Sequence, residues 1–325
     1  MTGRHRRAGS GAVRHLVFAG RKTHTRRVRI AHLSDLHLLD LEGAVPFRLL
    51  NKRLTGYLNL RFHRKSVHKP FAAEAAARAI RRLDVDHVVI TGDVSNLALE
   101  REFERVRRFV EDDLGLDADR VSLVPGNHDT YTSGSHRARR FEKTFAKYLQ
   151  SDIDVAEDGP FPYVKLRGPA AIIGLSTARP RPPFMASGSL GRAQVAGLGR
   201  ALAHPEVARR TVVLLQHHPW HHKGRLHLFL EGLWDAGAEA TALRQLSRGL
   251  LLHGHQHRRI RREIATERGH IDAIGVTSAS LIHESDERMA GFNVYEIRDD
   301  GAVGQITSHR LDGKETFVEV QIPRG

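Results

Sequence analysis

Short β-branched runs alternate with longer stretches of helical period, and this alternation restricts the folds open to the chain more than any other feature. The runs are Val28–Leu33, His87–Thr91, Val121–Val124, Ala171–Leu175, Thr211–Gln216, Leu250–His253 and Ile271–Val276. Several are almost continuously apolar, as strands covered on both faces are. Between them, "PFAAEAAARAIRRL" (70–83) opens on proline and runs on through alanine-rich turns. "LALEREFERVRRFVEDDL" (97–114) repeats its apolar residues at Leu99, Phe103, Val106 and Val110. "SHRARRFEKTFAKYLQ" (135–150) and "LGRAQVAGLGRALA" (190–203) keep the same period. Strand–loop–helix alternation predicts a layered α/β fold with helices outside a central sheet. After residue 270 the helical pattern stops, and "FNVYEIRDDG", "VGQITSHRL" and "FVEVQI" read as consecutive strands of a C-terminal antiparallel segment from about 271.

Composition narrows the chemistry. The chain has no cysteine, which excludes disulfides, thiolate metal sites and cysteine nucleophiles. Any metal must be held by His, Asp, Glu or Asn, a donor set suited to Mn, Fe or Zn. The formal net charge is +14, yet residues 1–27 hold +8 of it and residues 40–69 another +5, which leaves the remainder nearly neutral. A basic face for specific nucleic-acid binding is therefore not expected. Arg14 and His15 interrupt the only apolar patch of the N-terminal stretch, a poor secretory core, so 1–27 reads as a disordered basic tail and 28–325 as one domain. No apolar run approaches the roughly 18 residues that span a bilayer, and a cytoplasmic location follows as the expectation.

Five of the runs end in polar side chains of one chemical kind. "HLSDLHL" offers Asp35 and His37, and "HVVITGDV" offers Asp93 after Gly92. "VSLVPGNHD" supplies Asn127, His128 and Asp129; "TVVLLQHHPW" supplies His217 and His218; "LLLHGHQH" supplies His253, His255 and His257. Alone, each is a common turn or cap signal, and with 22 histidines some pairs arise by chance. Together, in order and each after an apolar strand, they mark the loops where open α/β folds collect functional groups.

This ordered set resembles the calcineurin-like metallophosphoesterase superfamily, over roughly residues 28–285. The resemblance implies a four-layer α-β-β-α sandwich with two metal ions at the strand ends. Matched position by position, Asp35, His37 and His257 would hold one ion, Asn127, His217 and His255 the other, and Asp93 would bridge them. His128 matches the family's catalytic histidine, with Asp129 to orient it, and His218 is left as a substrate-side residue. The implied reaction is hydrolysis of a phosphodiester or pyrophosphate bond by a metal-bridged hydroxide, with His128 stabilising charge or protonating the leaving alkoxide. Protein phosphatases of the family show Gly-Asn-His-Glu where this chain has "GNHD", so bacterial phosphodiesterases are the nearer pattern. The UDP-diacylglucosamine pyrophosphatases of lipid A synthesis are an alternative, although their commoner type has arginine at the position of His128. A non-catalytic scaffold is the alternative of another class; such members usually lose ligands, whereas all eight metal and catalytic positions are present here.

One stretch is not absorbed by these motifs. In "VPFRLLNKRLTGYLNLRFHRK" (45–65), Phe47, Leu50, Leu54, Tyr57 and Leu58 share a helical face while Arg48, Lys52 and Arg53 lie elsewhere. It reads either as a cap helix on the sandwich or as a surface for anionic membrane lipid beside the site.

Overall fold

The computed structural model describes residues 27–39, 68–130, 132–182, 184–220 and 224–325. The tail up to residue 26 and the amphipathic face at 45–65 lie outside the described residues; Arg27, counted with the tail in the sequence, begins the first strand.

Twelve strands are described: β1 (Arg27–Leu33), β2 (His87–Thr91), β3 (Val121–Val124), β4 (Tyr163–Arg167), β5 (Ala170–Gly174), β6 (Thr211–Leu215), β7 (Gly249–His253), β8 (Ile260–Ala265), β9 (His270–Gly275), β10 (Gly291–Arg298), β11 (Val303–Asp312) and β12 (Thr316–Val320). They form two six-stranded sheets, β12-β11-β10-β1-β2-β3 and β4-β5-β6-β7-β9-β8. In the first sheet β1, β2 and β3 run parallel, and the C-terminal strands extend it through the antiparallel pairing of β10 with β1 (Ala31 opposite Val294). In the second, β5, β6, β7 and β9 run parallel between antiparallel edges. The parallel strands therefore present their C-terminal ends, and the loops that follow, along one edge of each sheet.

Side-chain alternation explains the layering. Along β5 to β7, Ile172, Val213, Leu215, Leu250 and Leu252 join the core shared with the first sheet. Their neighbours Ile173, Val212, Leu214 and Leu251 face the other way, into a core with Leu198 and Ala201 of α3 (Arg192–Ala203) and Leu243 of α4 (Ala236–Leu243). The outer face of the first sheet is covered by α1 (Pro70–Arg82) and α2 (Glu100–Arg108), through Ala73, Ala76, Ile80, Phe103 and Val106. The result is the expected four-layer α-β-β-α sandwich. The Tyr163 hydroxyl donates to Leu123 O at 2.9 Å and Lys165 Nζ to Val121 O at 2.6 Å, pinning the edge of one sheet to the other.

Local details depart from the sequence reading. Helix 97–114 is α-helical only over Glu100–Arg108, then widens into a π-helical turn, Phe109–Leu114, ended by Gly115 at φ 61°. Stretch 135–150 is broken into Ser133–Arg137, Arg140–Thr144 and a 3-10 turn at Ala146–Tyr148, with Arg139 left-handed at the break. The break lets Phe141 and Phe145 both meet Phe103 edge-on, at ring distances of 6.2 and 6.0 Å. The sequence pattern does not reveal strands β4 and β8, because Lys165 and Arg167 in one and Arg261, Arg262 and Glu263 in the other disguise edge strands as polar linkers. Among the described residues no helix is long and apolar enough to cross a membrane.

Candidate metal centre

Five parallel strands, β1, β2, β3, β6 and β7, deliver the predicted residues to one place. The loops after β1 and β2 continue side by side beyond the sheet: Asp35 N donates to Gly92 O at 2.9 Å and His37 N to Asp93 O at 3.1 Å. The second sheet joins them where His217 Nδ1 donates to Thr91 O at 2.7 Å. The backbone here is unusual. Asp35, His37, Asp93, His255 and His257 all take left-handed conformations, with φ of 52°, 46°, 49°, 67° and 48°. A left-handed non-glycine residue costs about 1–2 kcal/mol, and such residues gather where side chains must be aimed against the grain of the chain.

The side chains fall into two clusters. In the first, His257 Nε2 stands 3.0 Å and His37 Nε2 3.9 Å from Asp35 Oδ1, and the two imidazole nitrogens are 3.3 Å apart. In the second, Asn127 Oδ1 lies 3.2 Å from His217 Nε2 and 3.1 Å from His255 Nδ1, while Asp93 Oδ2 lies 3.3 Å from His217 Nε2. Asp93 also belongs with Asp35 and His37, the ligating atoms of all three lying within 4.8 Å of one another. Its carboxylate is thus common to both clusters.

These distances and directions fit metal ions better than hydrogen bonds. Donors about 2.1 Å from a cation are separated by about 3.0–3.4 Å along the edge of an octahedron or tetrahedron, which is the spacing of every pair given above except His37–Asp35 at 3.9 Å. Among the described residues Asp35 Oδ1 is buried without a hydrogen-bond partner although His257 Nε2 is only 3.0 Å away: near in distance, the two atoms are not aimed at each other. With Nδ1–H given to Thr91, His217 turns its Nε2 lone pair toward oxygens of Asp93 and Asn127, which needs a positive charge between them. In the chain alone a proton fills that role: burial disfavours the charged ring, but Asp93 outweighs it and raises His217 to about 9. Burial likewise opposes ionisation of Asp93, yet His217 and His128 hold its carboxyl well below the usual range. Both clusters therefore suit resident cations, with Asp35, His37 and His257 around one, Asn127, His217 and His255 around the other, and Asp93 between.

His128 and Asp129 take a different arrangement from the one expected. His128 Nδ1 donates to the carbonyl oxygen of Asn96 at 2.8 Å, and its backbone N–H to Asp93 Oδ1 at 2.8 Å. The Asp129 carboxylate, buried, accepts from Val94 N (3.2 Å), Ser95 N (2.9 Å), Ser95 Oγ (2.8 Å) and Gly126 N (2.9 Å). So Asp129 fixes the loop, and the loop's Asn96 carbonyl holds the imidazole. Burial and the Asp93 charge push the Asp129 carboxyl up to about 7; the hydrogen bonds from Gly126 and Ser95 pull the other way. Asn96 also donates its Nδ2–H to His37 O at 2.7 Å, linking the loops after β1 and β2.

His218, expected on the substrate side, faces protein instead. Its Nε2–H donates to Ala186 O at 2.7 Å and its Nδ1 accepts from Thr177 Oγ1 at 2.8 Å, which uses both ring nitrogens. Two residues escaped the sequence reading. Asn96 holds His128 through its backbone oxygen, a contact that leaves no trace in residue type. His68 stands with its ring 4.6 Å from that of His37 and 5.6 Å from that of His257; its one sequence signal is its place just before Pro70, which opens α1.

A family model described as calcineurin-like phosphoesterase matches residues 28–259. Among solved structures, a purple acid phosphatase from yellow lupin (Lupinus luteus) seeds aligns with a TM-score of 0.57 at 10% identity, over 92% of this chain and 54% of that one. A 5'-nucleotidase precursor from Thermus thermophilus aligns with a TM-score of 0.44 at 15% identity, over 87% of this chain and 54% of that one. The chain thus spans about half the length of these two proteins, 54% in each case. No curated protein sequence matches it. The lupin structure shares the fold, and the family match runs from β1 past the His255–His257 turn; the chain belongs to the calcineurin-like phosphoesterase family.

Proposed function

We propose that the chain is a dinuclear metal-dependent phosphoesterase that hydrolyses a phosphodiester or pyrophosphate bond. The observation that carries this reading is Asp93, one buried carboxylate common to two clusters of candidate metal donors. Two bound cations would supply the positive charge that acidifies a water and neutralises phosphoryl oxygens. The protein's own groups do the rest. Asp35 and Asp93 are the only carboxylates among the seven proposed ligands, so a loaded site keeps net positive charge for an anionic substrate. The Asn96 carbonyl fixes the tilt of His128 through Nδ1–H and turns Nε2 toward the site; in the imidazolium form, with both ring nitrogens protonated, Nε2–H gives its proton to the departing oxygen and leaves the neutral Nδ1–H ring.

The test is metal analysis of purified protein alongside turnover of bis(p-nitrophenyl) phosphate with added Mn. Asp93→Asn is expected to weaken both ions and abolish turnover, whereas Asp299→Asn, on an exposed turn, leaves both intact. A variant at Asp93 that keeps two tightly bound ions and normal activity would overturn the assignment.

A second reading has an observation of its own. Phe184, Leu226, Phe229 and Trp234 are 90%, 72%, 53% and 44% exposed. All four lie on the segments that follow β5 and β6, beside the loop that holds His218 through Ala186. The Phe229 and Trp234 rings stack at 6.0 Å, and the Arg181 guanidinium sits 3.6 Å from the Trp234 ring centre. Apolar rings next to a cation suit an amphiphilic phosphoester, as in the lipid A pyrophosphatase alternative, presented at an anionic membrane surface. Co-sedimentation with anionic vesicles distinguishes the two readings. Wild type that stays in the supernatant at low salt and turns over only small soluble diesters eliminates the second.

A further inference from the structure

The first cluster holds one more imidazole than the motifs supply. The rings of His37, His68 and His257 surround a common centre: their centroids are 4.6, 5.2 and 5.6 Å apart and their planes are inclined at 60–88°, so none is stacked on another. One nitrogen from each lies within 4.8 Å of the others. Donors at about 2.1 Å from one ion are about 3.0 Å apart when adjacent, so His37 and His257, whose Nε2 atoms are 3.3 Å apart, already have that spacing, and His68 comes within about 2 Å of it.

His68 is also held as metal-binding histidines are. The backbone places it opposite Leu281 in an isolated antiparallel bridge, with Lys69 N donating to Ser280 O at 2.7 Å. Its Nδ1 pairs with Ser280 Oγ at 2.9 Å, which commits that nitrogen and orients Nε2 as the ligating atom. The same short segment reaches the ligand Asp35: Ser278 Oγ donates to Asp35 O at 2.6 Å, and Ala279 N to Ser34 O at 3.0 Å. The elements that aim Asp35 therefore also aim His68.

Resting on the dinuclear reading above, we infer that His68 is a further ligand of the first metal ion, through Nε2. That ion then has three imidazoles with Asp35 and Asp93, against two imidazoles, Asn127 and Asp93 for the second. Five protein donors with an open position suit a five- or six-coordinate ion such as Mn or Fe better than tetrahedral Zn. The two sites are consequently unequal, the first holding its ion more tightly.

Competition of metal-free protein with a chromogenic chelator for Mn and for Co resolves the two affinities. Wild type shows one tight and one weaker ion. His68→Ala weakens the tight one at least 10–100-fold, the scale on which supporting partners alone act, and leaves the weaker one within about threefold. Ser280→Ala gives a smaller loss in the same site. His68→Asn, with circular dichroism of the metal-free forms, controls for folding. As a readout independent of affinity, the Co-loaded protein is compared by NMR, where His68→Asn lacks one hyperfine-shifted imidazole N–H resonance. Two ions bound with unchanged affinities and an unchanged set of shifted resonances in folded His68 variants overturn this inference alone. A wild type that takes up fewer than two ions overturns the dinuclear reading and the inference with it.

Discussion

The arrangement around Asp129 makes a prediction that separates two ways of supporting a catalytic histidine. If Asp129 acted on the His128 ring alone, removing it would lower turnover and leave stability almost untouched. In the structure it instead accepts from three backbone N–H groups, of Val94, Ser95 and Gly126, and from the Ser95 hydroxyl. Asp129→Ala strands the three buried N–H groups at about 1–3 kcal/mol each, while the hydroxyl can rotate toward another acceptor. The expected cost is about 4 kcal/mol, a large share of a typical domain's stability. At about 2.1 cal/mol/K of unfolding entropy per residue, 325 residues give roughly 1.5 °C per kcal/mol, so the melting temperature falls by about 6 °C. Asp129→Asn is informative because every partner is a donor. With its amide oxygen toward Gly126 and Val94, the NH₂ meets Ser95 N–H and a hydroxyl that can reverse, so one contact becomes repulsive and the cost is about half. In both variants kcat for bis(p-nitrophenyl) phosphate falls at least tenfold, because the Asn96 carbonyl that holds His128 moves with the loop. Urea unfolding of metal-free protein, paired with kinetics, measures both effects. Asp129→Ala within 1 kcal/mol of wild type would refute the loop-holding account, and lost turnover at full stability would return Asp129 to a direct role.

Three further outcomes are expected. Gly126→Ala places a Cβ 2.2 Å from Asp93 Oδ1 and 2.4 Å from Asp93 N, so it costs about 1–3 kcal/mol and releases metal, as mass spectrometry of the dialysed protein would show; Gly199→Ala in α3, with open space around it, is neutral or stabilising. His128→Ala keeps both ions and lowers kcat roughly 10²–10⁴-fold, less for p-nitrophenolate than for poor leaving groups; loss of metal in this variant contradicts its place outside the ligand sets. Glu239, bonded by Trp220 Nε1–H, is pushed by burial from 4.5 up to about 8. Between those pH values the folded chain keeps a proton that the unfolded chain has released, so this group's contribution to stability falls as pH rises across the window. Glu239→Gln should therefore gain on wild type in melting temperature from pH 5 to pH 8, and a pH-independent difference would argue against the buried neutral acid.

Most of the fold and of the candidate site was legible because the chemistry sits close in sequence to the strands that carry it. Asp35, Asp93, Asn127, His217 and His255 each follow a parallel strand by two or three residues, so seeing the strand locates the candidate ligand. What the sequence hid depends on contacts across the chain or on the backbone. His68 reaches the first cluster only because it pairs with Leu281, more than 200 residues away. His218 is drawn inward because Gly188 leaves room for its ring; a Cβ there would stand 2.4 Å from His218 Nδ1.

The sharpest limit is the pair His255 and His257. Two residues apart in an extended strand, their side chains would point to the same side. Here His255 Nδ1 meets Asn127 while His257 Nε2 meets Asp35, in different clusters. Both residues are left-handed, at φ 67° and 48°, and the turn they make is what separates the rings. Gly254 enables it, since a Cβ at that position would fall 1.9 Å from Ser34 Oγ and 2.4 Å from Asp35 Oδ2. Residue type and spacing therefore name the candidate donors, but their partition between the two clusters is set by backbone conformations whose sole sequence signature is the glycine packed against the first aspartate.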